Sequence, residues 1–250
     1  MILRLLSYNI RYGGTGREAA LADVVRAAEP DLVLLQEATV PALVERLARE
    51  TGMAQWGSHP RASLGFLSRR PVAHASWTRP RVSRHAFLEI VPAGTPWRIF
   101  GVHLAAVHAA WTERRRVYEL RALLRAVARH QPGPHALVGD FNTVAPGEVL
   151  DIARLPVRLR ALVWLSGGRV RWRTIAEVMQ AGYADGFRHL HPDARQATGT
   201  TFPADDPRTR LDYVFLRPPF IDRLLACEVL DGPAAHVASD HRPLLAVLDV

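Results

Sequence analysis

The chain is 250 residues long and 48% hydrophobic, and it carries 32 basic against 24 acidic residues and a single cysteine. This length and apolar content allow a sizeable buried core, and we expect one domain that spans residues 1–250. No run of about 18 apolar residues occurs, which excludes a membrane-spanning helix, and the lone Cys227 excludes an intramolecular disulfide.

Charge and the first residues bear on partners and location. All 32 basic residues are arginine and the net charge is +8, which would attract polyanions, although the lack of lysine also fits a compositional bias of the source. The opening sequence, MILRLLSYN, lacks the basic region and long apolar run of a cleaved signal peptide. A single cysteine fits a reducing compartment. We expect a cytoplasmic protein without stable membrane insertion, and a monomer.

Strands and helices alternate in the first fifty residues. The pattern predicts a strand over residues 3–10, a helix over Glu18–Ala28, a strand over residues 31–37 and a helix over Pro41–Glu50. The second strand, DLVLLQE, is almost continuously apolar, which is typical of a strand buried on both faces. The loop at residues 11–16 is rich in glycine, but it matches neither of the common phosphate-binding glycine motifs.

Short strands follow, and then a long helix. Apolar runs between turns that contain proline and glycine predict strands over residues 63–68, 85–92 and 96–104. A helix is predicted over residues 111–130, and the apolar residues that we expect to face inward are Val117, Leu120, Leu124 and Val127. Another face of this helix carries Arg114, Arg121, Arg125 and Arg129, which we interpret as a solvated surface.

The strand that begins at His135 ends in Gly139-Asp140-Phe141-Asn142. Gly139 allows a close approach of the backbone to a neighbour, and a carboxylate and a carboxamide two residues apart project from the strand's end. Open α/β folds bind ligands beyond the carboxyl ends of their strands, so Asp140 and Asn142 are candidate site residues. Taken alone, the motif could also be a strand end that runs into an Asx-rich turn.

The secondary structure of residues 145–173 is the hardest to predict from the sequence. The second half, RLRALVWLSGGRVRWR, fits either a hairpin that turns at residues 166–168 or a helix, loop and helix. A hairpin would form a basic arm with Trp164 and Trp172 available for stacking, although its arginines could simply keep a surface element soluble. Thr174 and Glu177 then form a capping box that opens a helix ending at Gly182.

The last third returns to strands, predicted over residues 210–216, 224–230 and 242–250. Polar residues thereby flank buried apolar runs at six places along the chain. They are Asn9, Glu37, His103, Asp140 with Asn142, Asp212, and Asp240 with His241. Burying unpaired carboxylates is costly, so a cluster of them needs a cation, and an oxygen-rich set suits Mg²⁺ or Mn²⁺. No Cys/His pattern supports zinc.

These motifs resemble the endonuclease/exonuclease/phosphatase superfamily, the deoxyribonuclease-like metal-dependent phosphoesterases. The matching pieces stand in the family's order and span essentially the whole chain: SYNIR, LLQE, VHL, GDFN, RLDYVF and SDHRPL. Each piece alone is a weak signal, whereas six in order are specific. The resemblance implies an α/β fold, a four-layer α/β/β/α sandwich of two packed mixed sheets flanked by helices, with one catalytic domain over residues 1–250.

The resemblance also implies roles for single residues. Glu37 matches the family's principal metal ligand, with Asn9 and Asp240 beside it, and the implied cofactor is Mg²⁺ or Mn²⁺. Side chains that we expect to contact the substrate are Arg11, Arg171, Trp172 and Arg173.

The expected catalytic residues form a second group. His241 resembles the catalytic histidine and Asp212 the carboxylate that orients it, an arrangement that favours the imidazolium. Asp140 resembles the residue that aligns or deprotonates the attacking water. Asn142 and His103 resemble donors to the phosphoryl oxygens in the transition state. The implied reaction is in-line attack of water on phosphorus without a covalent intermediate.

Each of these residues taken singly also has a plain structural explanation. Asn9 is typical of a turn, His103 of a satisfied core histidine, and Asp212 could merely pair with Arg210. The whole chain could likewise be an inactive binding module. An active site that has lost its function would, however, be expected to lack at least one of these polar residues.

The substrate is a separate question, because fold does not choose it. Positive charge, arginine interleaved with aromatics and a cytoplasmic location favour a nuclease acting on nucleic acid. Thr209 replaces the tryptophan that usually precedes the RLDY motif in the abasic-site branch, which argues against that branch. The alternative is a phosphatase or phosphodiesterase for a small or lipid phosphoester. A sphingomyelinase is disfavoured because no export signal or strongly apolar hairpin is evident, although Trp164 and Leu165 leave membrane contact open.

Overall fold

A computed structural model describes residues 1–81, 83–106, 110–130, 132–148, 152–154, 157–165, 172–193 and 198–250. Strands in these ranges are β1 (Ile2–Asn9), β2 (Leu32–Gln36), β3 (Gln55–Ser58), β4 (Leu64–Ser68), β5 (Val72–Thr78), β6 (Phe87–Pro92), β7 (Arg98–His103), β8 (His135–Asp140), β9 (Ala184–Asp185), β10 (Asp212–Leu216), β11 (Leu224–Val229) and β12 (Leu244–Asp249). Helices are α1 (Glu18–Ala28), α2 (Pro41–Glu50), α3 (Ala110–Val127), α4 (Val157–Leu165), α5 (Arg173–Gln180), α6 (Gly186–Leu190), α7 (Pro218–Ile221) and α8 (Pro233–Ala238).

The strands form two mixed sheets of six strands each within the described ranges. The order in the first sheet is β11-β12-β1-β2-β4-β3, and in the second it is β5-β6-β7-β8-β10-β9. One neighbouring pair in each sheet is parallel, β1 with β2 and β7 with β8, while β12 and β10 run antiparallel to their neighbours β1 and β8. As a result, the carboxyl ends of β1, β2, β7 and β8 lie beside the residues at which β12 and β10 begin.

The two sheets pack face to face, and helices cover their outer faces. Alternate residues of a strand enter different layers: Leu32 and Leu34 of β2 pack between the sheets, whereas Val33 and Leu35 pack under α1, α2 and α8. The outer face of the second sheet packs against α3 and α5. This is the predicted four-layer α/β/β/α sandwich. It explains why residues 32–35 (LVLL) are all apolar, since both faces of β2 are buried.

Prolines at or next to the ends of α1 and α2 account for the helix boundaries that the sequence predicted. α1 ends where Glu29 takes a left-handed conformation (φ 46°), just before Pro30. α2 begins with Pro41 at its first position, where a proline costs no hydrogen bond. None of the described helices is both long and apolar enough to cross a membrane.

Three predictions of secondary structure need correction. Residues 157–165 form α4, so the hairpin is wrong there and the alternative of a helix is right; the proposed turn at residues 166–168 lies outside the described residues. The capping box is also wrong, because α5 starts one residue earlier and the backbone N–H of Thr174 donates to Glu113 of α3. Three strands at sheet edges, β3, β5 and the two-residue β9, were not predicted.

Candidate active site

Six polar residues from both sheets meet at one end of the sandwich. Asn9, His103 and Asp140 are the last residues of β1, β7 and β8. Asp212 opens β10 and pairs in register with Asp140, since β8 and β10 are antiparallel. The two further residues, Asn142 and His241, are described below, and all six of these side chains are buried.

Asp140 lies at the centre of this group. Its Oδ2 accepts hydrogen bonds from Asn9 Nδ2 at 3.1 Å and Asn142 Nδ2 at 3.0 Å, and its Oδ1 accepts the backbone N–H of Asn142 at 2.8 Å. Burial raises the pKa of Asp140, and these donors, together with His241, only partly offset that effect. A carboxylate with a raised pKa is a better base near neutral pH than an exposed aspartate.

His241 is held in place by a hydrogen bond between its ring nitrogen Nδ1 and the carboxylate of Asp212. Nδ1 lies 2.9 Å from Asp212 Oδ2, which also accepts the hydroxyl of Thr201 at 2.6 Å. Burial alone would lower the pKa of His241, but the charges of Asp212 and Asp140 outweigh it and raise that pKa to about 10. The imidazole is therefore protonated at neutral pH.

Arg210 does not pair with Asp212, which removes the plain structural explanation for that carboxylate. The guanidinium of Arg210 instead contacts Asp185 and Glu148. The second oxygen of Asp212, Oδ1, is buried and has no hydrogen-bond partner among the described residues.

His103 is the second histidine near Asp140. Its Nδ1 lies 2.6 Å from the hydroxyl of Ser63, and its ring stacks on that of His85 with centroids 4.6 Å apart. Burial lowers the pKa of His103, and nearby His85 and His241 lower it further. This histidine is therefore neutral at pH 7, unlike His241.

The two histidines point the same atom at Asp140. Nε2 of His103 and Nε2 of His241 each lie 3.9 Å from Asp140 Oδ2. This separation is too long for a hydrogen bond, so a polar atom of a ligand can be contacted by both imidazoles and the carboxylate.

The predicted metal ligands lie around the segment that follows β1. The backbone N–H of Arg11 donates to Asn9 Oδ1 at 3.0 Å, and that of Tyr12 donates to Glu37 Oε2 at 2.6 Å. The guanidinium of Arg11 lies 3.4 Å from the carboxylate of Asp240. Two consecutive residues thus contact all three predicted ligands.

A second set of possible metal ligands is formed by the catalytic group itself. One ligand atom each from Asp140, Asp212 and His241 lies within 4.8 Å of the others. Among the acidic, histidine and cysteine side chains of the described residues, neither Glu37 nor Asp240 belongs to such a group. The geometry therefore permits a cation in the buried cluster.

The predicted substrate residues are in three different situations. Arg11 borders the site beside Asp240. Trp172 is exposed immediately before α5, and Arg173 contacts Glu177 within that helix rather than any site residue described above. Arg171 lies outside the described residues.

Three supporting residues were not predicted from the sequence: Ser63, His85 and Thr201. Their residue types carry no specific signal, and their partners are distant in the chain. Backbone conformation marks the same region, because Ser63, Glu37 and Asn142 have positive φ values of 48°, 58° and 53°, as do Arg11 and Tyr12. Such conformations in residues other than glycine cost free energy and concentrate at functional sites.

Comparison with protein families agrees with this geometry. The model of the Endonuclease/Exonuclease/phosphatase family matches residues 6–241. The chain belongs to this family. Members hydrolyse phosphoester bonds, so the coarse activity of the chain is phosphoester hydrolysis. A search of curated proteins found no match to the sequence.

Solved structures of the same fold come from several sources. An AP endonuclease from Archaeoglobus fulgidus has a TM-score of 0.74 at 19% identity, with 99% of this chain and 100% of that chain covered. A humanized D. rerio TDP2 with 14 mutations gives 0.68 at 18% identity, covering 100% and 99%. An endonuclease/exonuclease/phosphatase from Beutenbergia cavernae DSM 12333 gives 0.69 at 20% identity, covering 100% and 72%. At these identities the similarity establishes the fold alone.

Proposed function

We propose that this chain, as a single catalytic domain, is a divalent-metal-dependent nuclease that cleaves nucleic-acid phosphodiester bonds by in-line attack of water. The observation that carries the proposal is the convergence of the two Nε2 atoms of His103 and His241 on Asp140. A phosphoryl group between them would meet one cationic and one neutral donor, and a carboxylate on the side from which water attacks.

The chain's own residues divide the work as follows. Asp140, whose pKa is raised by burial, aligns the attacking water and accepts its proton. His241 stays protonated through Asp212 and donates from Nε2 to a phosphoryl oxygen. His103 donates from Nε2 to the same phosphoryl group if the hydroxyl of Ser63 supplies the hydrogen in its bond to Nδ1. Asn9 and Asn142 fix the orientation of the Asp140 carboxylate.

The residues predicted to bind a metal fit Mg²⁺ or Mn²⁺ in their chemistry. Asn9, Glu37 and Asp240 offer one amide and two carboxylate groups, an oxygen set that these hard cations prefer. Glu37 Oε2 accepts the N–H of Tyr12, while Oε1 accepts no hydrogen bond from the described residues. A bound divalent cation would supply charge neutralisation to the phosphate and the leaving oxygen.

Charge supports nucleic acid as the substrate. The net charge is +8 with all basic groups on arginine, which binds phosphates in a forked geometry. Arg11 stands at the edge of the site, next to Asp240. A cytoplasmic location is part of this proposal and rests on the single cysteine.

A second candidate is a phosphodiesterase for a lipid or small phosphoester. It is favoured by α4, on which Trp164 and Leu165 are 74% and 67% exposed. Exposed tryptophan and leucine on one short helix are typical of contact with a membrane surface.

One assay separates these candidates. Purified protein with Mg²⁺ or Mn²⁺ is given single- and double-stranded DNA, RNA, an aryl phosphodiester and sphingomyelin, with a chelator as the control. The nuclease proposal expects cleavage of a nucleic acid that the chelator abolishes. Cleavage of sphingomyelin or the aryl diester, with no nucleic acid cut, would contradict it.

Two variants test the assigned roles. Asp140→Asn and His241→Ala should each lower kcat by about 10²- to 10⁴-fold, because each removes a proton-transfer or charged donor group. Circular dichroism checks that both remain folded, and an unchanged kcat in either variant would defeat its assignment.

A further inference from the structure

The first three turns of α3 expose two aromatic rings on one face. Trp111 and Tyr118 are 56% and 63% exposed, and they are seven residues apart, which places them about 10 Å from each other along the helix axis. Arg114 and Arg115 lie between them, and the four side chains line a shallow groove, called here the α3 groove. The predicted arginine stripe of this helix is exposed, as expected, but the aromatic pair adds a feature that a merely solvated face does not need.

Charge on α3 is separated between its two sides. Both acidic residues of the helix, Glu113 and Glu119, are buried. They contact Arg116, Arg115 and backbone groups of other segments. Every exposed charged residue on the described part of α3 is consequently an arginine. A surface with cations and aromatic rings but without exposed carboxylates is complementary to a polyanion with stacking bases.

The buried side of the first half of α3 contacts segments next to His103. Arg116 Nη1 donates to the carbonyl of Ala105 at 2.8 Å, and Ala105 is the second residue after His103. Glu119 accepts the backbone N–H of Arg84, next to His85, whose ring stacks on that of His103. Arg115 is bound to the same Glu119 at 3.2 Å. Arg115 of the α3 groove is thus joined through Glu119 to the segment whose His85 stacks on His103, so the groove lies near the path of a strand that leaves the site past His103.

We propose that the α3 groove binds the single-stranded part of a nucleic-acid substrate that flanks the scissile phosphate. Bases stack on Trp111 and Tyr118, and backbone phosphates contact Arg114 and Arg115. This inference rests on the proposed nuclease function and names the substrate form that the site takes.

Lipid and a second copy of the chain fit this surface less well. The exposed residues from Trp111 to Tyr118 include no leucine, isoleucine or phenylalanine, which a membrane-inserting face would present. Two copies related by a twofold axis would bring arginines of the same helix together, which is unfavourable.

The test is a binding measurement that needs no catalysis. A fluorescently labelled oligothymidylate is titrated with the full-length protein in the presence of a chelator, and anisotropy gives Kd. Trp111→Ala combined with Tyr118→Ala should weaken binding by about tenfold or more. Trp56→Ala, which removes an exposed tryptophan from the edge strand β3, is the aromatic control and should bind like the wild type.

Two double variants that remove arginines test the electrostatic part of the proposal. Arg114→Ala combined with Arg115→Ala should reduce the slope of log Kd against log salt by about 0.7 for each phosphate of the single strand that is no longer neutralised. Arg125→Ala combined with Arg129→Ala removes the same charge further along the chain, at and just beyond the end of α3, and should change the slope less.

Failure of this inference is distinct from failure of the nuclease proposal. If the aromatic variant binds oligothymidylate as the wild type does, the proposal that the α3 groove binds single strands is overturned, whatever the enzyme cleaves. Binding that depends on the groove, in an enzyme that cuts no nucleic acid, supports the groove and overturns the nuclease proposal. Binding of phosphatidylserine vesicles that the aromatic variant abolishes, or a dimer that it dissociates, without oligothymidylate binding, also overturns the inference.

Discussion

Each imidazole of the candidate site is held through Nδ1 by an oxygen atom, but the two oxygens differ in charge. His241 has the carboxylate of Asp212, which favours its cationic form, and His103 has the hydroxyl of Ser63, which does not. The two rings therefore carry different protonation states at neutral pH although they face the same oxygen of Asp140. In the proposed mechanism, His241 supplies a charge to the phosphoryl group and His103 a neutral donor.

Removing the hydroxyl of Ser63 should affect turnover more than substrate binding. In Ser63→Ala, His103 can take either neutral tautomer, so the form with hydrogen on Nε2 is no longer selected. We expect kcat to fall by about tenfold with little change in KM, and ¹⁵N chemical shifts of His103 to move towards a mixture of tautomers. Ser76→Ala, at a half-buried serine of β5, should change neither quantity. An unaltered kcat and unaltered shifts in Ser63→Ala would contradict the role.

The pH dependence of stability should report on the pair of His241 and Asp212. Because the folded pKa of His241 is raised to about 10, its protonation stabilises the fold fully below about pH 6.5, the ordinary histidine pKa. That contribution is lost as pH rises from 6.5 towards 10. In Asp212→Asn the free energy of unfolding should therefore fall less steeply over this range, measured by denaturant titration with a chelator present.

An exposed aspartate provides the control for this measurement. Asp222→Asn makes the same chemical change at a residue whose side chain is 89% exposed, and it should keep the wild-type slope. Equal slopes for Asp212→Asn and the wild type would show that His241 is not held protonated by Asp212.

At the residue scale, the grouping of Asp140, Asp212 and His241 was predictable from the sequence, whereas the supporting contacts were not. Asp140, Asp212 and His241 were identified from motifs because carboxylates and imidazoles next to buried strands are uncommon. Ser63 and Thr201 were missed because a hydroxyl is ordinary in a loop, and its partner is set by tertiary structure. The same limit applies to Arg11, whose contact with Asp240 joins opposite ends of the chain.

At the scale of the elements, the end of β8 depends on one glycine. Gly139 has φ 139°, and a Cβ atom there would overlap the backbone carbonyl of Val102 on the parallel strand β7. The sequence predicted a close backbone approach at this position, and the structure confirms it. The approach brings His103 and Asp140 into register at the ends of β7 and β8.

Gly139→Ala should therefore destabilise the fold. A methyl group must displace β7 or β8, and alanine disfavours this backbone conformation, so we expect a loss on the order of 3 kcal/mol in the free energy of unfolding. Gly133→Ala, in the loop before β8, meets only one neighbouring atom at 3.5 Å and should be tolerated. Chemical denaturation of both variants measures the difference, and similar stabilities would refute the explanation.

Elements that are bounded by proline or that have continuous apolar runs were predicted well. The failures have physical causes. α1 and α2 have prolines at or near their boundaries and a regular apolar face. The capping box at Thr174 and Glu177 failed because a carboxylate of α3 takes the backbone N–H that the local motif would use, while Glu177 binds Arg121. β3 was missed because it is a short edge strand whose residues are exposed or half-buried, so it has no apolar run.

At the scale of the whole molecule, the candidate site lies at the interface between the two sheets. Asn9 of the first sheet binds Asp140 of the second, Ser63 before β4 binds His103 of β7, and His241 before β12 binds Asp212 of β10. Each of these hydrogen bonds joins a residue associated with one sheet to a residue of the other. The packing of the sheets thus sets the distances between these side chains. Sequence motifs could name the partners but not these pairings, which connect residues up to 131 positions apart.

Whole-molecule charge leads to the last prediction, which concerns salt. If nucleic acid is the substrate, arginines that contact its phosphates release counterions, so log Kd should rise linearly with log salt concentration. With about three to four phosphates neutralised on a single strand, affinity should fall by about tenfold or more between 50 and 200 mM salt. A small aryl phosphodiester spans one phosphate only, so its KM should change little over the same range and serves as the control. Equal, weak salt dependence for both substrates would mean that the positive field reflects composition alone, and the enzyme would then be expected to act on a small or lipid phosphoester.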